Sequence, residues 1–149
     1  MAVDVTTAIE IDRPRAEVAA YASDPDSATR WYGNIVAVEW RTPRPLAVGT
    51  EIEFTAEFMN RRMTYTYRIT ELVEGELLVM TTAEGPFPME TTYTWEDLED
   101  GATLMTLRNY GQPSGFGRVS SPLMARAIRR ANRADLRMLK QLMESEAAD

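Results

Sequence analysis

The polar side chains best suited to chemistry are three tyrosines and one asparagine in alternating, strand-like stretches. Tyr65, Tyr67 and Tyr93 carry phenolic hydroxyls, and Asn109 carries an amide. All four share the phase of bulky apolar residues, which predicts that they face the inside of a sheet. There a phenol could donate a proton and an amide could polarise a carbonyl group. A buried polar group without a partner is costly, so each must bond internally, as Asn109 could with Tyr93, or contact a ligand.

Composition excludes several other kinds of catalytic site. The chain has no histidine and no cysteine, which excludes Ser-His-Asp triads, Cys-His pairs, histidine-bearing metal sites and disulfides. Lys140 is the only lysine and falls on the polar side of a predicted helix, which argues against a Schiff-base lysine. Arg108 is on the outward phase, as are four strand glutamates, so no inward carboxylate pair is expected; these are Glu51, Glu53, Glu57 and Glu90. Catalytic residues are therefore left unassigned, and neither a metal nor a cofactor is expected.

Length and charge restrict the protein class and its partners. The 149 residues fit one domain spanning residues 1–149. A net charge of −7 and a pI near 4.7 argue against nucleic acid as a partner. No apolar run reaches the roughly 18 residues of a membrane span, so no stable membrane insertion is expected. The N-terminal residues lack the pattern of a signal peptide, and the expected location is the cytoplasm.

The first forty residues predict a strand, two short helices and another strand. Val3 to Ile11 alternates apolar and polar residues, as a half-buried strand does. Pro14 precedes a short helix from Ala16 to Tyr21, and Ser23-Asp24-Pro25 starts a second that runs through about Tyr32. Trp31 is interpreted either as a lip of a cavity opening or, preferably, as a wedge between these helices and the sheet. A strand from Ile35 to Arg41 follows.

The middle of the chain predicts two hairpins separated by a strand. Pairing Met59 with Arg62 across an Asn60-Arg61 turn places Phe58 opposite Met63 and makes one face wholly apolar. The same register aligns Phe54 with Tyr67 and Glu53 with Arg68. Glu76 to Thr82 forms the next strand. In the last hairpin, pairing Trp95 with Thr103 aligns Tyr93 with Met105, Thr91 with Leu107 and Met89 with Asn109, so that Asn109 lies on the inner face.

The last third of the chain, from Pro113 to Glu146, predicts one long amphipathic helix. Ser121-Pro122 suits an N-cap and first turn, or a kink if the helix begins earlier. The predicted apolar stripe is Ile128, Ala131, Ala134, Met138 and Leu142, flanked by Met124, Leu139 and Met143. The opposite face is basic, with Arg126, Arg130, Arg133, Arg137 and Lys140. That face is either simply solvated or a docking surface for an acidic partner or a second subunit, as in a homodimer.

This order of elements predicts an α+β fold with a cavity. A helix is about 10 Å across, whereas seven strands at about 4.8 Å each form a much wider sheet. The sheet must therefore curl around the helix and leave a space on its inner face. An apolar pocket with a few hydroxyl and amide groups would suit a lipid, a steroid or an aromatic polyketide. The expected ligand contacts are Phe54, Phe58, Tyr65, Tyr67, Met80, Thr91, Tyr93, Leu107, Asn109, Met124 and Ile128.

Several local motifs, in their order and spacing, resemble one superfamily over nearly the whole chain. They are Ile11 to Val18, Ser23-Asp24-Pro25 to Trp31, Val48-Gly49-Thr50, and Gly115-Phe116-Gly117-Arg118 leading into Pro122-Leu123. The chain resembles the SRPBCC or START-like superfamily, whose fold is the helix-grip fold. Within it, the chain is most similar to the bacterial polyketide cyclase/dehydrase and lipid-transport branch. The resemblance implies a deep cavity between sheet and long helix that binds apolar small molecules, and it does not imply catalysis.

Three functional hypotheses follow. The preferred one is a non-catalytic protein that binds or carries a hydrophobic small molecule, because the inner face is apolar and lacks a carboxylate pair. The alternative is a cofactor-free enzyme resembling a polyketide cyclase or dehydratase, in which Tyr65, Tyr67 or Tyr93 donates a proton and Asn109 or Arg108 polarises a carbonyl. The third is a protein-interaction module that uses the basic helix face.

Overall fold

Seven strands and one long helix make up most of the molecule. The computed structural model describes residues 3–58, 60–84, 88–111 and 121–146, the side chains of Phe58, Ser121 and Glu146 excepted. The strands are β1 (Val3–Ile11), β2 (Ile35–Trp40), β3 (Glu51–Phe58), β4 (Arg61–Val73), β5 (Leu77–Glu84), β6 (Met89–Asp97) and β7 (Thr103–Gly111). The helices are α1 (Arg15–Ser23), α2 (Ala28–Trp31), preceded by a 3-10 turn (Pro25–Ser27), and α3 (Ser121–Glu146).

The strands form a single antiparallel sheet in the order β1-β7-β6-β5-β4-β3-β2. From β2 to β7 the chain is a meander, in which each strand lies beside the next one in sequence. β1 completes the sheet by pairing with β7, from Val3 opposite Gly111 to Ile11 opposite Thr103. The predicted α+β architecture, a curved seven-stranded sheet with a long C-terminal helix and two short helices after β1, is confirmed.

The β3–β4 hairpin has the predicted faces but a different register. Phe54 lies opposite Tyr65 and Ile52 opposite Tyr67, so the predicted pairing is wrong by two residues. Asn60 adopts a left-handed φ of 63°, which asparagine tolerates, and β4 begins directly after it at Arg61. A shift of two residues keeps every side chain on its predicted face. Met59, the predicted partner of Arg62, lies outside the described residues.

The β6–β7 hairpin is shifted in the same way. Tyr93 lies opposite Leu107 and Thr91 opposite Asn109, two residues from the predicted pairs. The strands extend to Asp97 and Thr103, and the turn closes with Leu98 N donating to Ala102 O at 2.8 Å. Gly101 takes a φ of 78° in this turn. Asn109 faces inward as predicted, with Thr91 as its cross-strand neighbour.

The inward face of α3 matches the prediction only in part: Leu139 and Met143, predicted to flank the apolar stripe, are buried, but none of the five stripe residues is. The buried residues are Asn132, Asp135, Leu136, Leu139 and Met143. Of the predicted stripe, Ala134 and Met138 are exposed and Leu142 is partly buried, whereas the exposed Ala131 and the partly buried Ile128 border the space beneath the helix. The apolar pattern did not reveal the whole buried face of α3, because two of the buried residues, Asn132 and Asp135, are polar. The described part of the helix runs from Ser121 to Glu146. Residues 113–120, on which the two predicted starts differ, lie outside the described residues.

The basic face of α3 is exposed as predicted. Arg126, Arg130, Arg133 and Arg137 are all exposed, and no salt bridge joins them to a carboxylate among the described residues. Lys140 donates instead to Glu10 O at 2.8 Å and to Glu144 at 2.6 Å, which ties the helix to β1. A role of this face in binding a partner stays a prediction.

The short helices close one side of the sheet. α1 buries Val18, Ala19 and Ala22. Asp24 caps the following 3-10 turn by accepting the Asp26 N–H at 3.0 Å. Trp31 is 1% exposed and donates from Nε1 to Ser27 Oγ at 3.2 Å. Its ring therefore lies inside the protein as the predicted wedge, with its centroid 5.9 Å from that of Tyr93 on β6.

Candidate functional site

A cavity of about 470 Å³ lies between the inner face of the sheet, the α2 region and the N-terminal half of α3. Its walls come from β3, β4, β5 and β6, from residues 22–35, from Asn109 on β7, and from the inward side of α3. Most of the lining side chains are apolar, including Ile52, Phe54, Met63, Ile69 and Met80. The space predicted from the widths of sheet and helix is therefore present.

The cavity exists because α3 packs closely over only part of its length. Leu136, Leu139 and Met143, in the C-terminal half, are buried in the core. Between residues 122 and 131 no side chain is buried, although Met124, Ala127 and others of this segment line the cavity. This half of the helix roofs the inner face of the sheet without filling the space beneath it.

Nine of the eleven ligand contacts predicted from sequence line the cavity; these are Phe54, Tyr65, Tyr67, Met80, Thr91, Tyr93, Asn109, Met124 and Ile128. The side chain of Phe58 lies outside the described residues. Leu107 does not line the cavity, because its side chain is fully buried in the core cluster to which Leu136 and Leu139 also belong. Contact of the nine residues with a ligand stays a prediction.

One group of polar side chains lies on β4, β6 and β7. The Thr91 hydroxyl donates to Asn109 Oδ1 at 2.7 Å, so the amide is bonded to Thr91 and not to Tyr93. Burial raises the pKa of Tyr67 to about 12, an effect that a hydrogen bond with Thr91 opposes. Burial also raises the pKa of Tyr65. These phenols are therefore neutral at physiological pH and can donate hydrogen bonds.

A second polar group lies closer to α3. The hydroxyls of Tyr32 and Tyr93 are hydrogen-bonded to each other. Burial is the largest cause of the raised pKa of both tyrosines, and the negative charge of Asp135 raises both further. One hydroxyl of the pair must donate and the other accept. The accepting hydroxyl can therefore donate its own proton in a hydrogen bond to a third group.

Asp135 supplies an inward carboxylate that the sequence did not predict. Its Oδ1 accepts the Gly33 N–H at 2.9 Å. Burial raises the pKa of Asp135 to about 6, and the Gly33 bond only partly opposes this. A carboxyl group with such a pKa exchanges its proton near neutral pH. From the sequence no inward carboxylate pair is expected, and Asp135 is a single inward carboxyl group that the apolar pattern missed.

Asn132 is the third polar residue on this side of the cavity. It is 5% exposed, and its Nδ2 has no hydrogen-bond partner within the part of the chain that the structure describes. A donor buried without an acceptor costs about 1–3 kcal/mol. An acceptor supplied from the cavity would remove this cost.

The charge of the cavity wall is exclusively negative among the described lining residues. Asp24 and Asp135 are the only charged residues there. Arg108, one candidate for polarising a carbonyl, lies on the other side of the sheet and pairs with Asp4 at 2.7 Å. Within the described ranges no three acidic side chains are grouped to hold a metal ion, and no helix is long and apolar enough to cross a membrane.

The amino-acid sequence matches the model of one known family. The model of the family "Polyketide cyclase / dehydrase and lipid transport" matches residues 2–144. The chain belongs to this family. Its fold is that of the START-like, or helix-grip, proteins. No curated protein sequence matches the chain.

Solved structures share the fold of this polyketide cyclase/dehydrase family member at low sequence identity. A START superfamily protein from Mycobacterium smegmatis has a TM-score of 0.83 at 12% identity, over 95% of this chain and 97% of the other. The Zhui aromatase/cyclase from Streptomyces sp. R1128 has a TM-score of 0.77 at 16% identity, over 99% and 96%. TTHA0849 from Thermus thermophilus has a TM-score of 0.78 at 17% identity, over 93% and 94%.

In this family member, sequence reasoning missed three polar residues of the site. Tyr32 closes a short helix and resembles a packing residue, while Asn132 and Asp135 interrupt the apolar pattern of α3. The available signal was the spacing of Leu136, Leu139 and Met143. Extended one turn toward the N-terminus, that spacing passes through Asn132 and Asp135.

Proposed function

We propose that this protein binds and carries a hydrophobic small molecule, of lipid, steroid or polyketide-like character, in the cavity beneath α3. The observation that supports this most strongly is a cavity of about 470 Å³ whose lining is mainly apolar. Small-molecule sites in proteins typically measure about 300–1,000 Å³ and combine apolar walls with a few polar groups. The family match and the fold support the same class of ligand.

The wall residues have complementary roles in this proposal. Phe54 and Tyr67 present aromatic rings whose centroids lie 5.8 Å apart in an edge-to-face arrangement, forming a firm side of the pocket. Met63, Met80 and Met124 line it with flexible thioethers, which adapt to ligands of different shape. The apolar walls would favour ligands that are apolar and of suitable size, and the polar residues would distinguish among those ligands.

The proposal is tested by native mass spectrometry of the purified protein and by displacement of a fluorescent apolar dye with a panel of lipids, steroids and aromatic polyketides. Ala131→Trp would fill part of the cavity, because Ala131 lines it. Ala134→Trp is the matched control, since Ala134 is also exposed on α3 but does not line the cavity. Dye affinity should fall for Ala131→Trp only. Absence of both co-purified ligand and dye binding in the parent protein would contradict the proposal.

A second candidate is a cofactor-free activity resembling that of a polyketide cyclase or dehydratase. The observation favouring it is Asp135, whose pKa is raised to about 6 by burial beside the hydroxyl pair of Tyr32 and Tyr93. A protonated Asp135 could deliver a proton to a leaving hydroxyl, and its carboxylate could accept one from an acidic carbon. The structural similarity to an aromatase/cyclase supports this candidate.

This activity is tested with a poly-β-ketone analogue under single-turnover conditions. Asp135→Asn and Tyr93→Phe should each lower the rate at least tenfold, within the usual range for loss of acid–base catalysis. Asn109→Ala, Tyr65→Phe and Tyr67→Phe test the residues predicted from sequence. Asp4→Asn, on the outward side, is the control. If the parent binds the analogue without converting it, the carrier function stands and the enzymatic one fails.

A further inference from the structure

Two buried polar residues lie one turn apart on the inward face of α3. Asn132 is 5% exposed and Asp135 is 7% exposed, and both line the cavity. Residues three apart project from the same side of a helix. Both residues therefore lie on the side of α3 that borders the cavity.

The two side chains offer opposite hydrogen-bonding capacities. Asn132 Nδ2 is a donor without a partner among the described residues. The Asp135 carboxylate accepts one hydrogen bond, from Gly33 N, and a carboxylate has capacity for several. Together they present one unused donor and one acceptor with capacity to spare.

A hydroxyl group complements such a pair better than a ketone, an ammonium group or a carboxylate does. Its oxygen can accept from the amide while its proton is donated to the carboxylate. A ketone would accept from Asn132 and offer nothing to Asp135. An ammonium group would pair with Asp135 and oppose the Asn132 donor. A carboxylate ligand would face Asp135 in a cavity with no arginine or lysine among its described lining residues.

We propose that Asn132 and Asp135 form a binding site for a hydroxyl group of an uncharged, otherwise apolar ligand. The amide donates to the ligand oxygen, and the carboxyl group of Asp135 accepts the ligand proton. Gly33 holds that carboxyl group in place through its N–H, and the hydroxyl pair of Tyr32 and Tyr93 borders the same part of the cavity. This inference rests on the proposed function and narrows its ligand class.

The test uses five probes with one apolar skeleton: naphthalene, 2-naphthol, 2-methoxynaphthalene, 2-acetonaphthone and 2-naphthoate. Affinities are measured by fluorescence titration at pH 7.5. The parent protein should bind 2-naphthol about tenfold more tightly than the methyl ether, the difference expected for one buried hydrogen bond. 2-Naphthoate should bind most weakly because it carries a negative charge.

Two variants test whether Asn132 and Asp135 cause the preference for 2-naphthol. Asn132→Leu removes the donor with little change in volume, and the tenfold preference for 2-naphthol should be lost while naphthalene still binds. Asp135→Asn replaces the acceptor by an amide that can donate. The affinity for the methyl ether or the ketone should therefore rise relative to the affinity for 2-naphthol. Asp135→Asn is nearly isosteric and serves also if Asn132→Leu does not fold. Asp4→Asn makes the same chemical change outside the cavity and should leave the preference unchanged.

The possible failures are distinguishable. If naphthalene binds but the parent does not prefer 2-naphthol over its methyl ether, the hydroxyl site is refuted and the apolar cavity function stands. A preference that survives in both Asn132→Leu and Asp135→Asn would also refute it. If no probe binds at all, the proposed function fails and the hydroxyl site with it.

Discussion

Asp135 Oδ1 accepts a hydrogen bond from Gly33 N at 2.9 Å, joining two residues that lie 102 positions apart in the chain. The bond links the middle of α3 to the turn that follows α2. It also orients the only inward carboxyl group described on that helix. The same contact therefore ties α3 to the α2 region and holds a carboxyl group that lines the cavity.

Replacing Asp135 should change the dependence of stability on pH. Its pKa rises from 3.8 to about 6 in the folded protein, so folding favours the protonated form. Its contribution to stability is present below about pH 4 and is lost as pH rises through about 6. Asp135→Asn should therefore stabilise the protein relative to the parent more at pH 8 than at pH 5, by urea unfolding.

Asp4→Asn is a control, because the contribution of Asp4 to stability should change with pH in the opposite direction. The hydrogen bond from Arg108 holds the pKa of Asp4 below its usual value, so its contribution is present at neutral pH and lost in acid. The pKa prediction for Asp135 is contradicted if the stability difference between Asp135→Asn and the parent is the same at pH 5 and pH 8.

The Tyr32–Tyr93 hydroxyl pair should show strong coupling in unfolding experiments. Tyr32→Phe or Tyr93→Phe alone leaves the other hydroxyl without this partner, which should cost about 1–3 kcal/mol. The double variant leaves no orphaned hydroxyl, so its loss should be smaller than the sum of the two single losses. A double-mutant cycle by urea unfolding measures this coupling, and additive single effects would contradict it.

Thr91→Val should destabilise the protein, because it removes the hydrogen bond to Asn109 Oδ1 and leaves that oxygen without its donor. The expected loss is about 1–3 kcal/mol in the free energy of unfolding. Thr92→Val is the control, since Thr92 is the adjacent residue of β6 and points to the opposite side of the sheet. Equal losses in the two variants would contradict the special role of Thr91.

The corrected inward face of α3 is tested by two alanine substitutions. Leu136 is 1% exposed in the core, and Leu136→Ala should cost about 2–5 kcal/mol. Met138 is 43% exposed, and Met138→Ala should change stability by less than about 1 kcal/mol. The comparison uses thermal or urea unfolding. A larger loss for Met138→Ala would restore the stripe predicted from sequence.

The sequence predicted which side of the sheet a strand residue faces better than it predicted which residues pair across neighbouring strands. Alternation placed Asn109 on the inner side of β7, and an error of two residues in pairing left that side unchanged because strand periodicity is two. The register itself depends on turns. Asn60 adopts a left-handed conformation that starts β4 one residue earlier than predicted, and nothing in the apolar pattern reports such a dihedral angle.

The same reasoning explains why the polar part of the site was missed. Asn132 and Asp135 occupy inward positions of α3, where an apolar pattern expects leucine or methionine. The predicted stripe therefore included the neighbouring Ala131 and Ala134 instead. The packing of α3 against β1 and α2 fixes the inward side, and that packing depends on contacts distant in sequence.

The pairing of β1 with β7 has a consequence for how the protein is made. Val5 lies opposite Asn109, so β1 leaves the ribosome long before its partner strand, which emerges more than a hundred residues later. Until then β1 has no neighbour, and β7 completes one side of the growing meander with an open edge. We expect sheet closure to be a late, slow step of biogenesis, because distant pairings lengthen folding times. During that interval the nascent protein would be most exposed to aggregation and most dependent on chaperones.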